Sequence, residues 1–191
     1  MKKLVSFAIL LLIGLSSFAQ VEEESILKGG FCSFEAQGFS IEKGLSLSMG
    51  GQAGFILKDF RLGGYFCGMS KTAKITPINV TNGEQYSIRE SHGGVYLGYP
   101  FFNSHAFHLL TDIRIGYGSA KLVNTNNVYF DKSGFVAMTP SVAMEYSITD
   151  IFKLSLGINY QFHIKTSTAE FYKTSILNKP GVFLAVTLGL F

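Results

Sequence analysis

The chain has 191 residues with 21 Gly, 18 Phe and 9 Tyr, no Trp, only 15% charged residues and a mean hydropathy of +0.28. Its formal charge is only +3, Lys2 and Lys3 contribute to that, and no basic run exists, which excludes a nucleic-acid binder working by electrostatics. The length allows one modest domain, and no stretch after the N-terminus approaches the roughly 18 uninterrupted apolar residues of a transmembrane helix.

The N-terminal segment reads as an export signal over residues 1–19. Lys2 and Lys3 form a positive start, residues 4–15 an apolar stretch, and Ser16-Ser17-Phe18-Ala19 a small-residue cleavage point. Cleavage after Ala19 leaves Gln20 as the first residue of a domain over 20–191. A buried N-terminal helix is the competing reading. Cys32 lies too far downstream to carry a lipoprotein anchor. Glu22-Glu23-Glu24 reads as a solvated acidic leader.

From Gly30 onward the pattern has period two, which means strands. The first, over 30–38, sets Cys32, Phe34 and Ala36 against Ser33, Glu35 and Gln37. The second sets Leu45, Leu47, Met49, Ala53, Phe55 and Leu57 against Ser46, Ser48, Gly50, Gln52 and Gly54. Lys58-Asp59 turns the chain into Phe60, Leu62, Gly64 and Phe66. In the fourth, Val95, Leu97, Tyr99 and Phe101 alternate with Gly94, Tyr96, Gly98 and Pro100. Asn103-Ser104 is the expected turn into a strand over 106–120, where Phe107, Leu109, Ile113, Ile115 and Tyr117 oppose His108, Asp112, Arg114, Gly116 and Gly118. The sixth sets Val136, Met138, Val142, Met144, Tyr146 and Ile148 against Ala137, Thr139, Ser141, Ala143, Glu145 and Ser147. Thr149-Asp150 then leads as a tight turn into the clearest strand, over 152–162. There Phe152, Leu154, Leu156, Ile158, Tyr160 and Phe162 oppose Lys153, Ser155, Gly157, Asn159 and Gln161. The eighth, over 182–191, is apolar on both faces, and its orientation is left open.

The connections alternate short and long. Residues 71–89, 121–133 and 165–179 are long and polar; only 39–44 on that side is short. Residues 74–80 and 85–90 flank Thr81-Asn82-Gly83, a hairpin signal, so some strands are expected to continue beyond the membrane as a protruding sheet. Short turns on one side and long loops on the other fit a transmembrane barrel, and only a closed barrel lets strands cross a bilayer. The competing fold is a soluble lipocalin-like barrel with its apolar face inside. Against it, the polar faces are mainly Ser, Gly, Ala, Asn and Gln, whereas soluble surfaces carry more Lys and Glu.

The export signal, the eight alternating strands, the aromatic ends Phe101-Phe102 and Tyr160–Phe162, and the closing Thr187-Leu188-Gly189-Leu190-Phe191 resemble small eight-stranded outer-membrane β-barrel proteins of Gram-negative bacteria, the OmpA/OmpX-like barrels. The resemblance implies an all-β, antiparallel up-and-down barrel in the cell outer membrane, with a filled lumen and no wide pore. Its partners would be outer-membrane lipid and, during biogenesis, the barrel-assembly machinery and periplasmic chaperones, with Phe191 as the assembly signal. That signal also expects large apolar residues two and four places earlier, where this chain has Gly189 and Thr187. An external ligand would bind through loops 71–89, 121–133 and 165–179. The expected role is structural or surface interaction.

Seven titratable residues fall on the expected inward faces: Glu35, Arg61, His108, Asp112, Arg114, Glu145 and Lys153. Isolated charge is costly in a narrow lumen, so these must pair. They read as a salt-bridge plug, with a gated proton or ion path as the sharper alternative. A lipid A-modifying enzyme would need a His with a Ser and an acid. His92, His105, His108 and His163 are the available histidines, and none forms a motif. Asp112 is ~13 Å from His108 along one strand, too far to pair with it. The chain shows no zinc spacing, calcium loop or phosphate loop, so neither metal nor cofactor is expected. Asn79-Val80-Thr81 is a chance sequon, and Gly116-Tyr117-Gly118 lies within a strand as a packing feature. Cys32 and Cys67 fall on non-adjacent strands, about twice ~4.8 Å apart and beyond the ~7 Å Cα limit of a disulfide.

Overall fold

A computed structural model describes residues 26–41, 44–71, 74–75, 86–101, 106–124, 129–166 and 176–191. The export segment, the Asn103-Ser104 turn, His105, the Asn79 sequon and the central parts of the three long loops lie outside the described residues. The strands are β1 (Leu27–Ile41), β2 (Gly44–Leu57), β3 (Phe60–Lys71), β4 (Lys74–Ile75), β5 (Tyr86–Phe101), β6 (Phe107–Asn124), β7 (Tyr129–Ser147), β8 (Phe152–Lys165) and β9 (Lys179–Gly189). Each pairs antiparallel with its chain neighbour around the sheet. β1 pairs with β9, and β3 pairs with β5, which closes the ring. Eight strands therefore form a barrel, and the two-residue β4 continues the ladder on β5 beyond the end of β3. Closure leaves no edge to satisfy.

The alternation expected from the sequence sets the two faces of the wall. Phe34, Leu156 and Ile158 point outward with 72%, 60% and 64% of their surface exposed. Their neighbours Glu35, Gly157 and Asn159 point inward and are buried. On β9 the structure fixes the parity that apolar composition left open: Val182, Leu184 and Leu188 face out, and Phe183, Ala185 and Thr187 face in.

The strands run longer than their period-two patterns. A span needs about 9–11 residues, yet β5, β6 and β7 have 16, 18 and 19. The extra length lies on the long-loop side, where residues 86–89, 121–124 and 129–133 are strand rather than loop. The ladder continues there because backbone pairing does not depend on the side chains that mark the membrane band. In this extension the face preference reverses. Arg89 and Lys132 point outward, while Phe39, Ile41, Tyr86, Ile88, Leu122, Phe135 and Leu177 form an apolar core inside. The same ladder thus changes from apolar-outside to apolar-inside along its length.

The short side is tight. Lys58-Asp59 makes a two-residue turn with Lys58 at φ 55°, and Lys58 N–H donates to Ile26 O at 2.7 Å. Between β7 and β8 the connection is four residues, 148–151, rather than the two expected. Thr149 Oγ1 and O both accept from Phe152 N–H, at 3.1 and 3.3 Å, a local closure typical of Thr in turns.

Both cysteines are free; Cys32 is exposed on the outer face and Cys67 buried inside, 2.9 Å from Ser48 Oγ. They therefore point to opposite sides of the wall. In folded protein one thiol is expected to react with a small maleimide and both after denaturation. An oxidant should leave monomer mobility on a non-reducing gel unchanged; an intramolecular bridge would contradict the register.

Candidate functional site

The interior polar residues stack in three tiers. The lowest, near the tight turns, centres on Glu145 of β7. Arg61 of β3 reaches across and donates to both its carboxylate oxygens at 2.7 and 2.6 Å. Lys153 of β8 lies at 3.4 Å. Such fork-to-fork geometry gives the strongest charge-assisted pair. The ring of Phe191 sits beneath both cations, 3.7 Å from Lys153 Nζ and 4.9 Å from Arg61 Cζ, within cation–π range. Phe191 therefore follows the parity of Thr187 and Gly189, with its ring turned to the two cations and 37% of its surface still exposed, and Leu188 and Leu190 point outward. This accounts for the small residues where large apolar ones were expected. His108 also belongs to this tier, with Nε2 3.0 Å from Ser147 Oγ. It makes no ion pair among the described residues.

The middle tier is a strap across the barrel. Arg114 on β6 donates to both oxygens of Glu35 on β1 at 2.8 and 2.7 Å. These strands are four places apart by either way around the ring, so the pair spans the full diameter. Asp112 adds a contact to Arg114 Nε at 3.3 Å. Asp112 and Arg61 are both ladder neighbours of Gly98, which brings the two tiers together. Gly98 has no room for a Cβ, since the Tyr96 hydroxyl fills that space. The void between Glu35, Gln52, Tyr65, Cys67 and Arg114 measures about 10 Å³, at the lower limit for one water. The structure thus gathers six of the seven residues into ion pairs and leaves His108 on a hydroxyl.

The upper tier lies just below the apolar core of the extension. Glu90 and His92 of β5, His163 of β8 and Lys179 of β9 are all buried. His163 Nε2 is 3.5 Å from Glu90 Oε2, and His92 Nδ1 is 3.1 Å from the Tyr65 hydroxyl. Sequence reading missed Lys179 because it closed the segment 165–179 read as loop, and Glu90 because it ended the strand-like run 85–90 next to loop 71–89. The signal was there: Glu90 and His92 share the parity of Tyr96.

A surface groove of about 740 Å³ lies elsewhere. It lies on the outer wall among Leu45, Val142, Ile158, Tyr160, Pro180 and Val182, and none of its lining residues is a His, Asp or Glu.

These features define the class: a closed, eight-stranded antiparallel barrel of the outer-membrane type, with an apolar belt outside and a polar, packed lumen. Neisserial surface protein A has a similar fold, with a TM-score of 0.56 at 13% identity over 85% of this chain and 95% of that one. Ail, the attachment invasion locus protein of Yersinia pestis, aligns with a TM-score of 0.48 at 9% identity over 86% and 98%. OprG from Pseudomonas aeruginosa aligns at 0.40 and 9% identity over 85% and 91%. No family model matches the sequence, and no curated protein does.

Proposed function

We propose that this chain is an integral outer-membrane β-barrel, exported by its N-terminal signal, with a plugged lumen and a structural or surface-interaction role. The observation that carries this reading is the outward belt of Phe34, Leu97, Ile115, Leu156, Ile158 and Leu184. A soluble lipocalin-like barrel needs those side chains inside. Lipid is the partner of the belt, and the assembly machinery and chaperones act during biogenesis. An external ligand would bind through loops 71–89, 121–133 and 165–179, at the end of the barrel where β5, β6 and β7 extend. The seven lumen residues serve as the plug, because each bidentate pair joins strands that are not neighbours.

In detergent, the unboiled protein is expected to run faster on a gel than the boiled protein, as a compact barrel that the denaturant has not opened. A mature protein that stays in aqueous buffer without detergent, with no such mobility difference, would overturn the reading.

One observation favours lipid modification as a second reading: the Ser147–His108 contact has the nucleophile–base distance. Against it, His108 Nδ1 has no hydrogen-bond partner among the described residues, so none of their acids orients the imidazole. A lipid-modifying activity lost in His108→Ala would establish this reading over the structural one.

A further inference from the structure

We propose that Glu90, His92 and His163 form a binding site for a divalent transition-metal ion of the zinc class, which would clamp β5 to β8 just below the apolar core of the extension. One ligand atom from each residue lies within 4.8 Å of the other two. Ligands about 2.1 Å from a tetrahedral ion stand roughly 3.4 Å apart, and the Glu90–His163 edge is already 3.5 Å. Small side-chain rotations close the remaining edges. Two imidazoles and one carboxylate are the donor set that selects zinc-class ions over the all-oxygen sites of calcium or magnesium.

Three further features of the site point to a ligand. The residues are only 4%, 4% and 3% exposed, yet among the described residues Glu90 Oε2, His92 Nε2 and His163 Nε2 have no hydrogen-bond partner. Buried polar atoms are otherwise almost always bonded. The Tyr65 hydroxyl at His92 Nδ1 is the outer partner that metal-bound histidines use to fix ring and tautomer. With Nε2 on the ion, Nδ1–H donates to the Tyr65 oxygen. A Cβ on Gly116 would stand 2.7 Å from that hydroxyl, so the glycine keeps the space open for it. The ring of Phe135 packs on His163 at a centroid distance of 4.6 Å and on His92 at 6.1 Å, which holds both imidazoles and excludes water.

Lys179 is the opposing group. Its Nζ is buried, has no hydrogen-bond partner among the described residues and lies 3.8 Å from the centre of the Phe39 ring. It competes with the ion for the charge of Glu90. Three protein ligands leave a fourth position open on the ion.

The test uses the full barrel folded in detergent, with Co²⁺ as the probe and Zn²⁺ as the competitor. One equivalent of Co²⁺ per chain is expected to give visible d–d bands that Zn²⁺ abolishes. His92→Ala and His163→Ala should each weaken binding at least about 100-fold, Tyr65→Phe about tenfold, and Lys179→Met should strengthen it. His108→Ala, in the lowest tier, should leave it unchanged. Heat-modifiable migration shows that each variant is folded. Absence of the bands in the folded wild-type protein, or their persistence in the folded His92→Ala/His163→Ala double variant, would overturn the proposal.

Discussion

Glu145→Ala is expected to destabilise the barrel by about 3–5 kcal/mol, the usual cost of removing one partner from a buried ion pair. The substitution strands two cations, because Arg61 and Lys153 both point at this carboxylate. Glu145 is fully buried and also accepts from Ser155 Oγ at 3.5 Å. A urea titration in detergent micelles, read by the shift from fast to slow gel migration, measures the loss. Trp fluorescence is not an option in a chain without Trp. Replacing the whole tier by apolar residues of similar size, in Arg61→Met/Glu145→Leu/Lys153→Met, should restore most of the stability, since no charge is then left unpaired. A loss below about 1 kcal/mol in Glu145→Ala, typical of exposed pairs, would show that the lumen is wet and the plug reading wrong.

Leu156→Arg is expected to cost about 2–4 kcal/mol in a lipid bilayer, the range for a basic residue at the midplane of a barrel's outer face. Leu156 lies near the centre of β8 and is 60% exposed. In water such a change would be nearly neutral, for a charge on an exposed surface is well solvated. The size of the effect therefore reports the solvent of this face. Ser91→Arg, also outward but on the extension of β5 near Arg89, should cost only a few tenths of a kcal/mol. Folding yield into liposomes and a urea midpoint in the same vesicles give both values. Equal, small costs at the two positions would place the belt in water and refute the membrane reading.

The barrel was legible because strand periodicity is a local property. Alternation on β8, from Phe152 to Phe162, and the Lys58-Asp59 turn follow from side-chain order over a few residues, and the structure keeps both. β9 was not legible in the same way. Val182, Phe183, Leu184 and Ala185 are apolar on both faces, because some inward residues of this barrel pack as Phe183 and Ala185 do, against Leu110 and Ala143.

The sequence by itself therefore determined the alternation, most of the strand sequence and the seven charged residues of the inward faces. Only the tertiary structure decided which of them meet. Arg61 finds Glu145 across 84 residues and Arg114 finds Glu35 across 79, distances over which no local pattern carries information. Those partners are set by ring closure and by the stagger of each ladder, a global property of strand number and tilt. The same holds for Glu90, His92 and His163, which share no spacing motif and meet only because β5 and β8 face each other across the lumen. It holds also for Phe191, whose place under Arg61 and Lys153 depends on the parity that pairing with β1 and β8 imposes on β9.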